Sequence, residues 1–167
     1  MLSRIREFFS PDVSGIYIQS GRGWKISGGG TRDHRSVFLH LGAMVPDGSI
    51  LYLEAPCDSS CEPQYLQIEV PENIRSKVRI GTIYPKPRFF HVPAVGATFE
   101  LLTDLSKTRC GPEVCVHFVV YKSGEVLVSA YDAFSDPIFC SARISESAVR
   151  NFSAAVGGTY ETVTIPS

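Results

Sequence analysis

Five cysteines and four histidines carry most of the reactive chemistry in this chain, and their spacing sorts them into sets. Cys57 and Cys61 enclose three residues, Cys110 and Cys115 enclose four. Two close thiol pairs are the raw material of a structural zinc site, which wants four thiolates in a tetrahedron. The unequal gaps are imperfect for that, and Cys115 falls at the head of an apolar run where its side chain would pack. Thiols acting as small hydrophobes of the core or its boundary explain Cys57, Cys61, Cys110 and Cys115 more simply. Neither a metal nor a cofactor is expected. Asp58, Ser59 and Ser60 further mark Cys57 and Cys61 as exposed loop residues.

A second set comes from a hairpin. The runs Val114 to Tyr121 and Val126 to Tyr131 flank Lys122-Ser123-Gly124-Glu125, with glycine in the turn. A turn at Ser123-Gly124 sets Cys115 opposite Asp132 and His117 opposite Ala130, which brings Cys115, His117 and Asp132 to one face. Thiol, imidazole and carboxylate are the parts of a nucleophilic site, the base lowering the thiol pKa and the acid orienting the base. Residues two apart on a strand, however, hold their β-carbons about 7 Å apart. Val119, Val126 and Val128 share that face, so a packed surface with one polar end is the stronger reading.

The loop from Tyr131 to Pro137 is a different kind of candidate, because two aromatics and two carboxylates share a short connection. Tyr84, braced by Pro85 and Pro87, adds another rigid aromatic segment. Exposed aromatics on pre-ordered loops suit a binding surface, so Tyr84, Tyr131, Asp132, Phe134 and Asp136 form the expected recognition set. The competing role for Phe134 is a loop anchor turned into the core. His91 reads as a satisfied polar group at a strand end. His34 and His40, six apart, share no helix face and read as exposed. Gly21-Arg22-Gly23 and the later triple glycine lack the lysine of a phosphate loop.

The elements that must position these residues follow from periodicity and turn chemistry. Leu2, Ile5, Phe8 and Phe9 predict a short helix over 2–9 that ends at Ser10-Pro11. Gly15 to Ile18 and Gly23 to Ile26 are bounded by glycine and read as edge strand or loop. A helix over 34–44 follows from Val37, Phe38, Leu41 and Met44, with Asp33 as its N-cap. Ile50 to Leu53 then form a strand, Glu62 to Val70 a helix, and Arg88 to Val92 a second strand. Phe99, Leu102 and Leu105 stripe a helix over 95–107, which Gly111-Pro112 should terminate. After the hairpin, Ile138 to Cys140 read as a strand, and Ser145 opens a helix closed by Gly157-Gly158. The fold class is α+β, a mixed and largely antiparallel sheet of about five strands with packed helices. All 167 residues form one domain: helix and glycine-rich lead-in over 1–33, core over 34–158, tail over 159–167.

A formal charge of −1 offers no electrostatic footprint for nucleic acid or an anionic membrane. The N-terminus lacks a signal-peptide pattern and no apolar run is long enough to span a bilayer, so a cytoplasmic protein is expected. Pro46-Asp47-Gly48-Ser49-Ile50-Leu51-Tyr52-Leu53-Glu54, Gly81 to Pro87 and Asp132 to Pro137 resemble segments of small bacterial proteins with no assigned activity. That resemblance spans residues 38–156 and implies a bacterial cytoplasmic protein. With no complete catalytic set, the expectation is a non-enzymatic protein-binding domain, of which a bacterial immunity-type inhibitor is one form. The alternative is a thiol-dependent hydrolase or zinc protein built on the cysteine and histidine sets.

Overall fold

The computed structural model describes residues 14–55, 60–81, 87–135 and 137–165. Among these residues the sheet contains seven strands, not about five: β1 (Gly21–Ser27), β2 (Ile50–Ala55), β3 (Arg88–Pro93), β4 (His117–Lys122), β5 (Glu125–Ala130), β6 (Ile138–Ser141) and β7 (Thr159–Ile165). They lie in the order β3-β2-β4-β5-β6-β1-β7, and every neighbouring pair is antiparallel. The two additions, β1 and β7, fall where sequence suggested a lead-in and a tail. β1 is an interior strand between β6 and β7, and β7 is an edge strand. The lead-in and tail are therefore parts of the sheet. The expected helix over 2–9 lies outside the described residues.

Five helices are described: α1 (His34–Leu41), α2 (Glu62–Gln67), α3 (Gly96–Leu105), α4 (Gly111–Val114) and α5 (Glu146–Ala155). The caps are local and legible. The Asp33 carboxylate accepts a hydrogen bond from the Arg35 N–H, and the Ser145 hydroxyl accepts one from Ala148 N–H. Gly111-Pro112 starts α4 instead of merely ending the preceding helix. Proline is tolerated in a first turn, where its missing N–H has no partner to lose. The Glu113 carboxylate receives the Cys110 N–H at 2.8 Å and completes that turn.

The sheet is covered on both faces. Leu51, Leu53, Phe90, Val92, Phe118 and Val120 belong to the large cluster that α1, α3 and α5 complete with Val37, Phe38, Leu41, Phe99, Leu102, Val149 and Phe152. The opposite face gathers a smaller cluster of Tyr52, Val119, Tyr121, Val126 and Ile165 with Ile18 and Val78. The last two come from a pair of straps, residues 14–18 and 76–81. A parallel bridge joins the straps at Ile16 and Val78, with Ile16 N–H donating to Lys77 O and Arg79 N–H to Ile16 O. Burial on both faces explains why β2 and β4 read as continuous apolar runs instead of alternating ones.

Candidate functional site

The hairpin turns at Ser123 and Gly124, both with positive φ, as expected. A β-bulge then moves its register: Tyr121 faces Val126 but Val120 faces Val128, so Leu127 is the extra residue. Phe118, not His117, consequently stands opposite Ala130. His117 instead packs on the Tyr131 ring at 5.5 Å between centroids. Cys115 precedes the strand, at the end of α4, so the two-residue alternation does not reach it. Its side chain joins the helix-side core while His117 lies toward the strap. Burial, followed by the nearby Cys61 thiol and Glu54, pushes the Cys115 pKa well above the ordinary thiol range. A thiol held protonated in the core, away from the imidazole, is a poor nucleophile.

The metal set fares similarly. Cys61 and Cys115 are buried, Cys110 is exposed, and Cys57 lies outside the described residues. Cys61 lies in the turn before α2 but has no exposure, which corrects its reading as an exposed residue. Tyr65, beside both buried thiols, donates its hydroxyl hydrogen to Val114 O at 2.9 Å. Among the described residues no group of three or more His, Cys, Asp or Glu is placed to hold a metal ion.

Of the expected recognition set, Tyr84 and Asp136 lie outside the described residues. Tyr131 is half-buried against His117, and the Asp132 carboxylate is 68% exposed at a residue with φ 47°. Phe134 takes the anchor role: its ring packs on Phe38 at 5.7 Å, His34 at 5.4 Å and Phe118 at 6.3 Å. His34 is half-buried, not exposed, and its Nε2 lies 2.9 Å from the Arg109 carbonyl oxygen. The loop thus presents Asp132 outward and turns its second aromatic in.

Beneath the 76–81 strap the structure brings His117 and Asp132 together, as the hairpin implied, with Nδ1 3.9 Å from the carboxylate, and adds Glu54 and Tyr52, which the sequence did not single out. Glu54, with no exposure, is the penultimate residue of β2. Its Oε1 accepts hydrogen bonds from the Tyr52 hydroxyl at 3.1 Å and the Gly81 N–H at 2.7 Å, while Oε2 lies 3.9 Å from His117 Nε2. His117 Nδ1 accepts the Asp132 N–H at 2.6 Å, which places the ring proton on Nε2, facing Glu54. Gly81 is required here: a β-carbon would stand 2.6 Å from the Tyr131 ring and 2.8 Å from that of His117. Burial, then the Glu54 charge and its hydrogen bond, hold the Tyr52 phenol protonated as a donor.

Alongside, His91 is buried in the middle of β3, and its Nδ1 lies 2.9 Å from the Tyr121 hydroxyl. That hydroxyl oxygen accepts the Ser76 N–H at 3.1 Å, which leaves the phenolic hydrogen for His91. Burial, aided by the Arg75 charge, lowers the His91 pKa from 6.5 to about 4. A carboxylate, two imidazoles and three phenols have the parts for proton transfer. Here they join strap to sheet, each engaged with a neighbour.

An open concave surface lies on the other layer. A groove of about 600 Å³ runs between α1 and α3, with Leu39, Ala43 and Phe99 on its walls and Arg35, Glu100 and Lys107 around it. A smaller one of about 240 Å³ lies on the other flank of α1, against Asn151, Phe152 and Ala155 of α5. Leu39, 60% exposed, is the most exposed large apolar side chain among the described residues. The sequence signal for it was its position off the inward stripe of Val37, Phe38 and Leu41. For Glu54 the signal was a carboxylate inside an otherwise apolar strand. Comparison with protein-family models, with curated proteins and with solved structures finds no match.

Proposed function

We propose that this protein is a non-enzymatic protein-binding domain that engages its partner through the outer face of α1. The observation that carries this is Leu39, an apolar side chain 60% exposed on the wall of the groove between α1 and α3. Arg35, Glu100, Asp104 and Lys107 rim the larger groove with both signs of charge, and Lys107 pairs with Asp104 at 2.6 Å. An apolar centre with a mixed polar rim is the anatomy of a transient protein interface. The core position of the Cys115 thiol supports a binding role over a thiol-dependent one. An inhibitor of the immunity type, which caps another protein's surface, is the particular form proposed.

Leu39→Glu tests this, because an exposed helix position tolerates the charge without loss of fold. The expected result is loss of the complex with its co-purified partner at unchanged melting temperature. Retention of that complex by the folded variant overturns the assignment of the surface.

A further inference from the structure

The two edges of the sheet are finished differently. On β3, the outer edge is covered by the chain after α2: the Val70 N–H donates to the His91 carbonyl, and the Glu69 carboxylate reaches the His91 N–H. On β7, no described residue pairs with the outer side. This strand runs seven residues, Thr-Tyr-Glu-Thr-Val-Thr-Ile, without proline, glycine or bulge. A long, regular edge of β-forming residues is a template for a further strand.

We infer that β7 pairs antiparallel with β7 of a second copy of this chain, about a two-fold axis at Thr162. Register selects this axis. Centred on Thr162, all seven residues find partners: Thr159 with Ile165, Tyr160 with Thr164 and Glu161 with Val163 of the other copy. Centring on Glu161 would set two carboxylates face to face, a destabilising arrangement. Centring on Val163 pairs five residues of the strand instead of seven, with Thr159 and Tyr160 opposite no residue of β7.

Charge complementarity points to the same arrangement. Within one copy the row across β1 and β7 places Ile26 beside Tyr160, and another row places Arg22 beside Thr164. Pairing Tyr160 with Thr164 of the other copy therefore joins these rows, and Arg22 of one copy comes two strands from Tyr160 of the other. Two strand spacings are about 10 Å, within the combined reach of an arginine and a tyrosine. Arg22 is exposed and lies over Trp24 on the helix side of the sheet. Tyr160 also points to that side and donates its hydroxyl hydrogen to Glu146 at the start of α5. Arg150, one turn along α5, is the other cation near this phenol. The two-fold thus presents Arg22 of each copy to the Glu146 carboxylate of the other. On the opposite face Glu161 is already paired with Lys25 at 2.9 Å.

Sedimentation equilibrium of the full chain is expected to show a dimer at tens of micromolar and nothing larger, because the two-fold uses up the open edge. Thr162→Lys places like charges across the axis at an exposed position and should give a folded monomer. Arg22→Glu should weaken the dimer about tenfold through its two symmetric pairs, and Arg22→Glu with Glu146→Arg should recover the loss. Should Thr162→Lys fail to fold, Thr162→Cys in a Cys57→Ser, Cys110→Ser background supplies a second readout. It should cross-link across the axis on oxidation, and Thr164→Cys should not. A monomeric wild-type chain, or a dimer that survives Thr162→Lys with its melting temperature intact, overturns the inference. Failure of the Thr162→Cys cross-link does the same.

Discussion

His91 should make the stability of this protein depend on pH in a way that one substitution removes. In the folded chain its ring is buried beside Tyr52 and Tyr121, and its pKa is lowered to about 4 from the 6.5 it has when unfolded. The unfolded chain therefore binds the proton first as pH falls. Above pH 6.5 both states hold the ring neutral and the native state keeps its full stability. Between 6.5 and about 4 that stability declines, and below 4 both states are protonated and the contribution is flat. The gap corresponds to about 3 kcal/mol at most, at 1.36 kcal/mol per unit. Carboxylates titrate in the same range, so the test is a difference between wild type and His91→Asn. Asparagine keeps an acceptor for the Tyr121 hydroxyl but does not titrate. Urea unfolding at pH 7.5 and pH 4 should show a fall in stability about 3 kcal/mol larger for the wild type. Equal falls within about 0.5 kcal/mol would refute the account of a buried, neutral His91.

Further predictions follow from burial. With alkylating reagent at pH 8, Cys110 should label in the native protein, whereas Cys61, Cys115 and Cys140 should label only at the rate of unfolding; peptide mass spectrometry reads this, and fast native labelling of Cys115 would contradict its place in the core. Burial also raises the Cys140 thiol to about 12, which reinforces its protection. Phe118→Ala should cost about 3–5 kcal/mol in chemical denaturation, because this fully buried ring contacts Phe38 and Phe134 and would leave a cavity. Glu54→Ala should cost about 3 kcal/mol, since the Tyr52 hydroxyl and Gly81 N–H lose their acceptor, and hydrogen exchange at Gly81 should accelerate more than at Leu53.

Much of the helix layer was legible because its signals are local. Asp33 and Ser145 cap where they should, and the apolar stripes of α1, α3 and α5 face the core as their spacing requires. β1 read only as an edge strand or loop because of its glycines, whereas it is an interior strand. At Gly23 a β-carbon would stand 2.5 Å from the Ile165 side chain and 2.6 Å from the Cys140 carbonyl, so this glycine lets three strands close together. β7 was hidden by polarity: an edge strand whose burial alternates weakly offers no clean period of two. The site residues depended on longer-range facts. A single bulge at Leu127 moved His117 from Ala130 to Tyr131, and no feature of the hairpin sequence marks that residue as extra. The strap network was legible only in part: His117 and Asp132 come together from the hairpin, as the sequence implied, whereas Glu54 and Gly81 join them only through the pairing of β2 with β4 and the path of the strap.

A photo-crosslinking amino acid at position 39, incorporated in the cells that make the protein, reads directly whether α1 meets a partner protein. One dominant adduct with a single partner protein is expected, absent when the crosslinker is moved to the strap side at Arg79. Irradiation that yields no adduct at position 39, in folded protein at native abundance, would contradict it.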